Sequence, residues 1–255
     1  AWEKDCITTY EYLLFINKYS SRSLNDPHQY HIFPWILSNF DDIILINQEK
    51  DELLKDKIKA ISDNNDIKNE KNGEINEEKN LLNSLRNLKY PLSMQNATAR
   101  NQSIYKFGED DNERFHFHLG SHYATSSYVY YYLMRQEPYN TMLIKLQNYQ
   151  LENPNRMFIG LKETIEILLS GNDNRELLPE FFTKIEFFLN LNYSYYDKRS
   201  SGEIVNNVKI DFMKNDNNFP LLISDYVHFI IEHRNLLNSD LINISLNDWI
   251  NNIFG

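Results

Sequence analysis

The stretch HIFPWIL, residues 31–37, constrains this chain more than any other. Six consecutive apolar residues from Ile32 to Leu37 need burial, yet Pro34 has no N–H to donate and pushes Phe33 toward extended backbone. The expectation is a segment that crosses the core as irregular extended chain. Phe33, Pro34 and Trp35 are its centre.

The elements around it read as helices. TTYEYLLFINKYS follows a Thr8 or Thr9 N-cap candidate and groups Tyr12, Leu13, Phe15 and Ile16 at helical spacing. Turn chemistry in SSRSLNDPHQY ends it. Val129, Tyr132, Leu133 and Gln136 predict a second helix, which Pro138 ends or follows with the next. A third is expected behind Asn155, with Phe158, Leu161, Ile165 and Leu168 on one face and Gly171 as its stop. RELLPEFFTKIEFFLN, PLLISDYVHFIIEHRNLL and SLNDWINNIFG give three further helical stretches. EIVNNVKIDFM is the one strand-like run. Without alternating strands and helices, a doubly wound nucleotide-binding sheet is excluded and the class is mainly α.

Residues of about 48–83 change character to charged residues and Asn with few aromatics. A flexible insertion is expected there, with a frayed helix at DELLKDKIKAI. The 255 residues otherwise suffice for one large domain with a substantial core. A net charge of −10 disfavours nucleic acid as the main partner, because phosphate binding needs a basic surface. No apolar run approaches the roughly 20 residues of a membrane span. Cys6 is the single cysteine, so no internal disulfide forms; this points to a reducing compartment and reads as a small buried side chain. The chain starts without methionine, and a piece of a longer protein is expected.

The motif RFHFHLGSHY tests for metal chemistry. His116 and His118 share a face if the segment is a strand, and His122 could complete a catalytic zinc site with one open position for water. A metal-dependent hydrolase is therefore the alternative function. No glycine-rich phosphate loop or Gly-x-Ser-x-Gly elbow is present. Glu180 and Glu186 read as caps or ion-pair members, Arg135 and Glu137 as a structural ion pair, and His228 and His233 are five apart, the wrong spacing for one helix face. Seventeen Tyr, 15 Phe and 3 Trp exceed what a helical bundle of this size needs. They read as core and as anchors for a protein partner.

In order along the chain, YEYLLFINKYSSRSLNDPHQYHIFPWIL, LRNLKYPLS, GSHYATSSYV, YLMRQEPYNTMLIKLQ, PNRMF, ELLPEFF, the Asn of FFLNLN and WINNIFG resemble the BEACH domain family. The resemblance covers most of the chain outside the insertion. His31 stands where members carry proline, SSR replaces Ala-Gly-Arg, YSYYDKR lacks a glycine, and KIDFMKND occupies the place of a Pro-Pro-Trp segment. Only the GSHY part of the histidine motif belongs to the family pattern, so His122 is expected to make buried hydrogen bonds and His116 and His118 to be incidental.

The resemblance implies one mainly α BEACH-type domain over 1–255, helices around a core with extended irregular segments. It implies a PH-like domain just before residue 1, packed against this one, and a WD-repeat domain after it. Function would be that of a non-catalytic, cofactor-free cytoplasmic scaffold that binds trafficking proteins and associates peripherally with endomembranes, in vesicle trafficking, lysosome-related organelle biology, autophagy and membrane dynamics. Candidate framework or interaction residues are Asn25, Tyr30, Phe33, Pro34, Trp35, His122, Arg135, Glu137, Pro138, Glu180 and Trp249.

Overall fold

The computed structural model describes residues 2–4, 6–62, 81–109, 122–210 and 221–255. Its α-helices are α1 (Thr9–Tyr19), α2 (Ile43–Ser62), α3 (Ala97–Glu109), α4 (Ser126–Leu133), α5 (Tyr139–Leu146), α6 (Leu161–Ile167), α7 (Ile223–Leu237) and α8 (Asp240–Phe254). The fold is mainly helical, as the periodicity predicts. Extended chain among the described residues meets only through isolated bridges, not as a sheet.

Residues 32–37 cross the core as extended chain, and Phe33, Trp35, Ile36 and Leu37 are wholly buried. A buried segment without sheet neighbours must find partners for its peptide groups elsewhere. The Ile32 N–H donates to Asn17 Oδ1 at 2.8 Å, and Asn17 Nδ2 returns a bond to the Ile32 carbonyl at 2.9 Å. Phe33 exchanges two backbone bonds with Leu177 at 2.9 and 2.8 Å. Pro34 has no donor to satisfy. Trp35 N–H donates to Glu176 Oε2 at 3.1 Å, and the Ile36 carbonyl accepts from Arg86 N–H at 3.0 Å. The side chains of Asn17 and Glu176 thus stand in for the missing sheet, and Arg86 adds its backbone N–H to the Ile36 carbonyl and its Nη1–H to the Trp35 carbonyl at 3.3 Å.

Around this segment the aromatic rings form the centre. Phe181, Phe182, Phe187 and Phe188 are all buried, on two short 3-10 turns, Pro179–Phe182 and Glu186–Phe188. RELLPEFFTKIEFFLN is therefore not the expected α-helix. A helix would turn only one side of this stretch inward, whereas these four rings enter the core together.

Thr8 caps α1: its Oγ1 accepts from Glu11 N–H at 3.2 Å while Glu11 Oε2 accepts from Thr8 N–H at 2.8 Å. Thr8→Ala is expected to lower the unfolding free energy by about 1 kcal/mol in urea titration followed by circular dichroism. Helix α1 buries Tyr10, Leu13 and Asn17; of the predicted set, Leu13 is in the core, Tyr12 and Ile16 are half-buried, and Phe15 faces out.

The helix expected at DELLKDKIKAI is present within the charged stretch, but it is docked rather than frayed. α2 continues through residue 62 and docks on the C-terminal helices: Asn47 Nδ2 donates to Glu232 Oε2 at 2.7 Å, and Lys57 Nζ to the Leu241 carbonyl at 2.9 Å. Ile46 and Leu53, seven residues apart, bury the inner side. Burial pushes Lys57 down to about 8. The rest of the expected insertion, 63–80, lies outside the described residues, as do His116, His118 and the end of EIVNNVKIDFM from residue 211. Its beginning is extended, with a parallel bridge from Lys209 to Gly160.

The third predicted helix starts later than expected. Gly160, not Asn155, is the N-cap of α6, and Asn155 lies in a 3-10 turn, Pro154–Arg156. The helix ends in a π-turn, Leu168–Asn172, that takes in Gly171.

Candidate functional site

Most of the sequence-selected residues are in the interior. Tyr30 is buried, and its hydroxyl donates to Glu180 Oε1 at 2.9 Å with Tyr139 Oη at 3.5 Å. Burial first, then the Glu180 charge, raises the Tyr30 phenol far above its ordinary value, so it stays a donor. Lys184 Nζ lies 3.6 Å from the same carboxylate oxygen. Phe33, Pro34 and Trp35 belong to the crossing segment, and Trp249 is wholly buried on α8. Asn25 is exposed, its N–H donating to Ser23 Oγ at 3.1 Å.

Three expectations change. Arg135 and Glu137 do not pair: Arg135 is buried and its Nε–H donates to the Asn206 carbonyl at 2.7 Å, while the exposed Glu137 carboxylate accepts from Thr141 Oγ1 at 2.7 Å. Burial lowers Arg135 to about 10. Glu137 instead secures the first turn of α5, which Pro138 precedes. His122 is exposed, and its Nδ1 accepts from the Ala124 N–H at 3.1 Å in place of buried bonds. Its neighbour Tyr123 does the structural work of GSHY: the carbonyl accepts from Glu176 N–H at 3.0 Å and the ring lies 5.8 Å from the Arg22 guanidinium. Cys6 is exposed, not buried; charged neighbours at Glu3 and Lys4 keep this turn at the surface.

Arg86 and Glu176, which sequence reasoning missed, form a buried ion pair at 2.8 Å under Trp35. No local pattern announces them, because their partners are backbone atoms brought together by the fold. Among the described residues no group of three or more His, Cys, Asp or Glu is placed to share a metal ion.

His233, whose spacing from His228 excludes a shared ligand face, is wholly buried, stacked on Phe182 at 4.2 Å, with Nδ1 3.0 Å from the Phe181 carbonyl. That carbonyl requires the proton on Nδ1 of a neutral ring. Burial lowers the imidazole to about 4 against 6.5 for the free side chain. As pH falls below 6.5 the unfolded chain takes up a proton that the folded chain refuses until about 4, so stability drops across that window by about 3 kcal/mol and levels off below it. Urea midpoints at successive pH values are expected to show this loss, and His233→Phe to flatten that part of the profile.

The outward surface of interest is on α1. Phe15 and Tyr19, 53% and 76% exposed, pack ring to ring at 4.6 Å, with Leu24 exposed in the following loop. Trp2 stacks on Tyr12 at 4.5 Å and an interplanar angle of 5°. Helix α1 therefore has apolar residues on two sides, one in the core and one facing out. No helix among the described residues is long and apolar enough to cross a membrane.

A family model described as the Beige/BEACH domain matches residues 1–255. A putative neurobeachin homolog of Caenorhabditis elegans is 28% identical over 256 residues, covering 100% of this chain and 9% of the relative. The BEACH domain-containing protein lvsD of Dictyostelium discoideum is 29% identical over 256 residues, covering 100% and 7%. The lysosomal-trafficking regulator of Homo sapiens is 29% identical over 269 residues, covering 100% and 6%. The chain thus spans less than a tenth of the length of these relatives.

Proposed function

The chain belongs to the BEACH domain family, and on that premise we propose that it is a non-catalytic docking domain within a larger trafficking scaffold. Its work is to hold protein partners together at endomembranes from the cytoplasmic side, in processes such as lysosome-related organelle traffic and autophagy. The name of the human relative, a lysosomal-trafficking regulator, supports that setting. An upstream PH-like domain packs against the chain, and a WD-repeat domain follows it.

The observation that carries this reading is the outward face of α1. Water-exposed Phe15 and Tyr19 add nothing to the core, while paired aromatic rings on a rigid helix are what a protein partner buries most favourably. We place the PH-like domain on this face. Supplied in trans, the PH-like segment is expected to bind the 255-residue chain at micromolar concentration or tighter in calorimetry. The Phe15→Ala/Tyr19→Ala variant is expected to bind at least about ten-fold more weakly with an unchanged circular dichroism spectrum. Absence of binding, or equal binding by the variant, overturns this placement. Elemental analysis addresses the hydrolase alternative: stoichiometric zinc lost in a His116→Ala/His118→Ala variant would count against a purely scaffolding role.

A further inference from the structure

A different part of the chain carries aromatic side chains that the fold does not need. A satellite core of Met134, Leu143, Met157, Ile159, Tyr196 and Val205 supports the segments 142–157 and 190–205. From these segments Tyr149, Tyr193 and Tyr195 project, 79%, 92% and 71% exposed. Tyr149 and Tyr193 also have φ of 63° and 52°, the left-handed region that costs a side chain with a Cβ about 1 kcal/mol or more. Burial of their own rings offsets none of that cost.

The backbone beneath is nonetheless firmly held. Tyr149 N–H donates to the Ile144 carbonyl at 2.8 Å. Asn190 bonds Ser194 twice, Nδ2 to the carbonyl at 2.8 Å and Oδ1 from the N–H at 3.0 Å. Tyr196 Oη donates to the Met134 carbonyl at 3.0 Å. Loops fixed this way lose little freedom when something binds.

Between the two segments lies a groove of about 430 Å³, with Gln147, Leu151, Glu152 and Pro154 on one side and Asp197 on the other. Ser200 N–H, donating to Asn155 Oδ1 at 3.0 Å, ties the two sides together. Tyr195 Oη donates to Asp197 Oδ1 at 3.1 Å, which sets that ring at the rim. Among the described residues neither Glu152 nor Asp197 has an ion-pair partner, and none of the residues lining the groove is basic. The groove therefore sets two carboxylates without a cationic partner beside the exposed Tyr195 ring.

We propose that this groove binds a cationic extended peptide segment of a partner protein, placing a Lys or Arg between Glu152 and Asp197 and against the face of Tyr195 at the rim. Carboxylates supply the opposite charge and tyrosine faces attract the same cation through the ring quadrupole. This surface is separate from the α1 face, and its test does not depend on the PH-like domain.

Fluorescence anisotropy tests it with labelled peptides of about 12 residues, one with Arg at every third position, the other with Glu in those places. The Arg peptide is expected to bind the 255-residue chain below about 1 mM and the Glu peptide not to bind. Glu152→Gln/Asp197→Asn is expected to weaken binding about ten-fold, and Tyr195→Ala several-fold. Asp197→Asn suits its position, since asparagine tolerates the φ of 68° there. Asp51→Asn/Glu52→Gln, two exposed residues on α2, removes the same charge elsewhere and is expected to leave binding unchanged. Equal loss in that control reduces the effect to net charge and overturns the site. So do equal binding of the Glu peptide, no binding of the Arg peptide, or self-association of the chain through the groove in sedimentation.

Discussion

Arg86→Ala is expected to lower the unfolding free energy by about 3–5 kcal/mol, read from urea titration of circular dichroism. Its guanidinium lies 2.8 Å from Glu176 Oε2, and the two side chains are 1% and 2% exposed. The same arginine bonds the Trp35 carbonyl at 3.3 Å and the Tyr90 carbonyl at 3.3 Å. Its removal leaves the Glu176 charge in the interior without its cation, still accepting from the Trp35 N–H, and desolvation of an unpaired carboxylate dominates the cost. Glu176→Gln keeps the shape and an acceptor for Trp35 but leaves Arg86 uncompensated, so it is also expected to destabilise, by a smaller amount. The double variant Arg86→Met/Glu176→Gln is expected to lose less than the sum of the single changes, because no unpaired charge remains. A loss below about 1 kcal/mol for Arg86→Ala would show that water or a neighbour replaces the guanidinium, and that the crossing segment does not depend on it.

That dependence explains which parts of the fold can be read from sequence. Phe33 and Trp35 announce themselves: an apolar run interrupted by Pro34 has few options, and the extended crossing follows from the proline ring. The helices α1, α7 and α8 show periodicity strong enough to place. Asn17, Arg86 and Glu176 carry no local signal, because each serves a peptide group distant in sequence, Ile32, Ile36 or Trp35. The misreadings have the same origin. In RELLPEFFTKIEFFLN aromatic density resembles a helix face, yet the rings are inside on every side. In α2 the charge after residue 48 hides Leu53, which continues the buried side begun by Ile43 and Ile46. Arg135 and Glu137 stand two apart in sequence, but Arg135 enters the core while Glu137 faces solvent and holds the first turn of α5. On α1 the patterned set mixes buried Leu13 with exposed Phe15, and periodicity alone cannot tell which of these faces the core. That ambiguity is why the candidate docking face emerges only from the structure, although its residues were all visible.

Phe181→Ala is expected to cost about 3–5 kcal/mol by the same urea titration, with loss of near-ultraviolet circular dichroism before helical signal. The ring is wholly buried and meets Trp35 at 6.2 Å, Tyr132 at 5.0 Å, Phe158 at 5.9 Å and Phe187 at 4.7 Å. Truncation removes the apolar transfer energy of the ring and opens a cavity whose walls belong to separate segments of chain. The expected loss is at the upper end if those walls stay fixed by their own hydrogen bonds, as Trp35 is through its N–H to Glu176 and its ring N–H to the Arg175 carbonyl at 2.9 Å. Collapse of the site would bring the loss nearer 2 kcal/mol. Tyr19→Ala supplies the contrast: with its ring 76% exposed, it is expected to change stability by no more than about 0.5 kcal/mol while weakening partner binding. If Tyr19→Ala instead destabilised the chain as Phe181→Ala does, the outer face of α1 would be part of the core, and the docking reading built on it would fail.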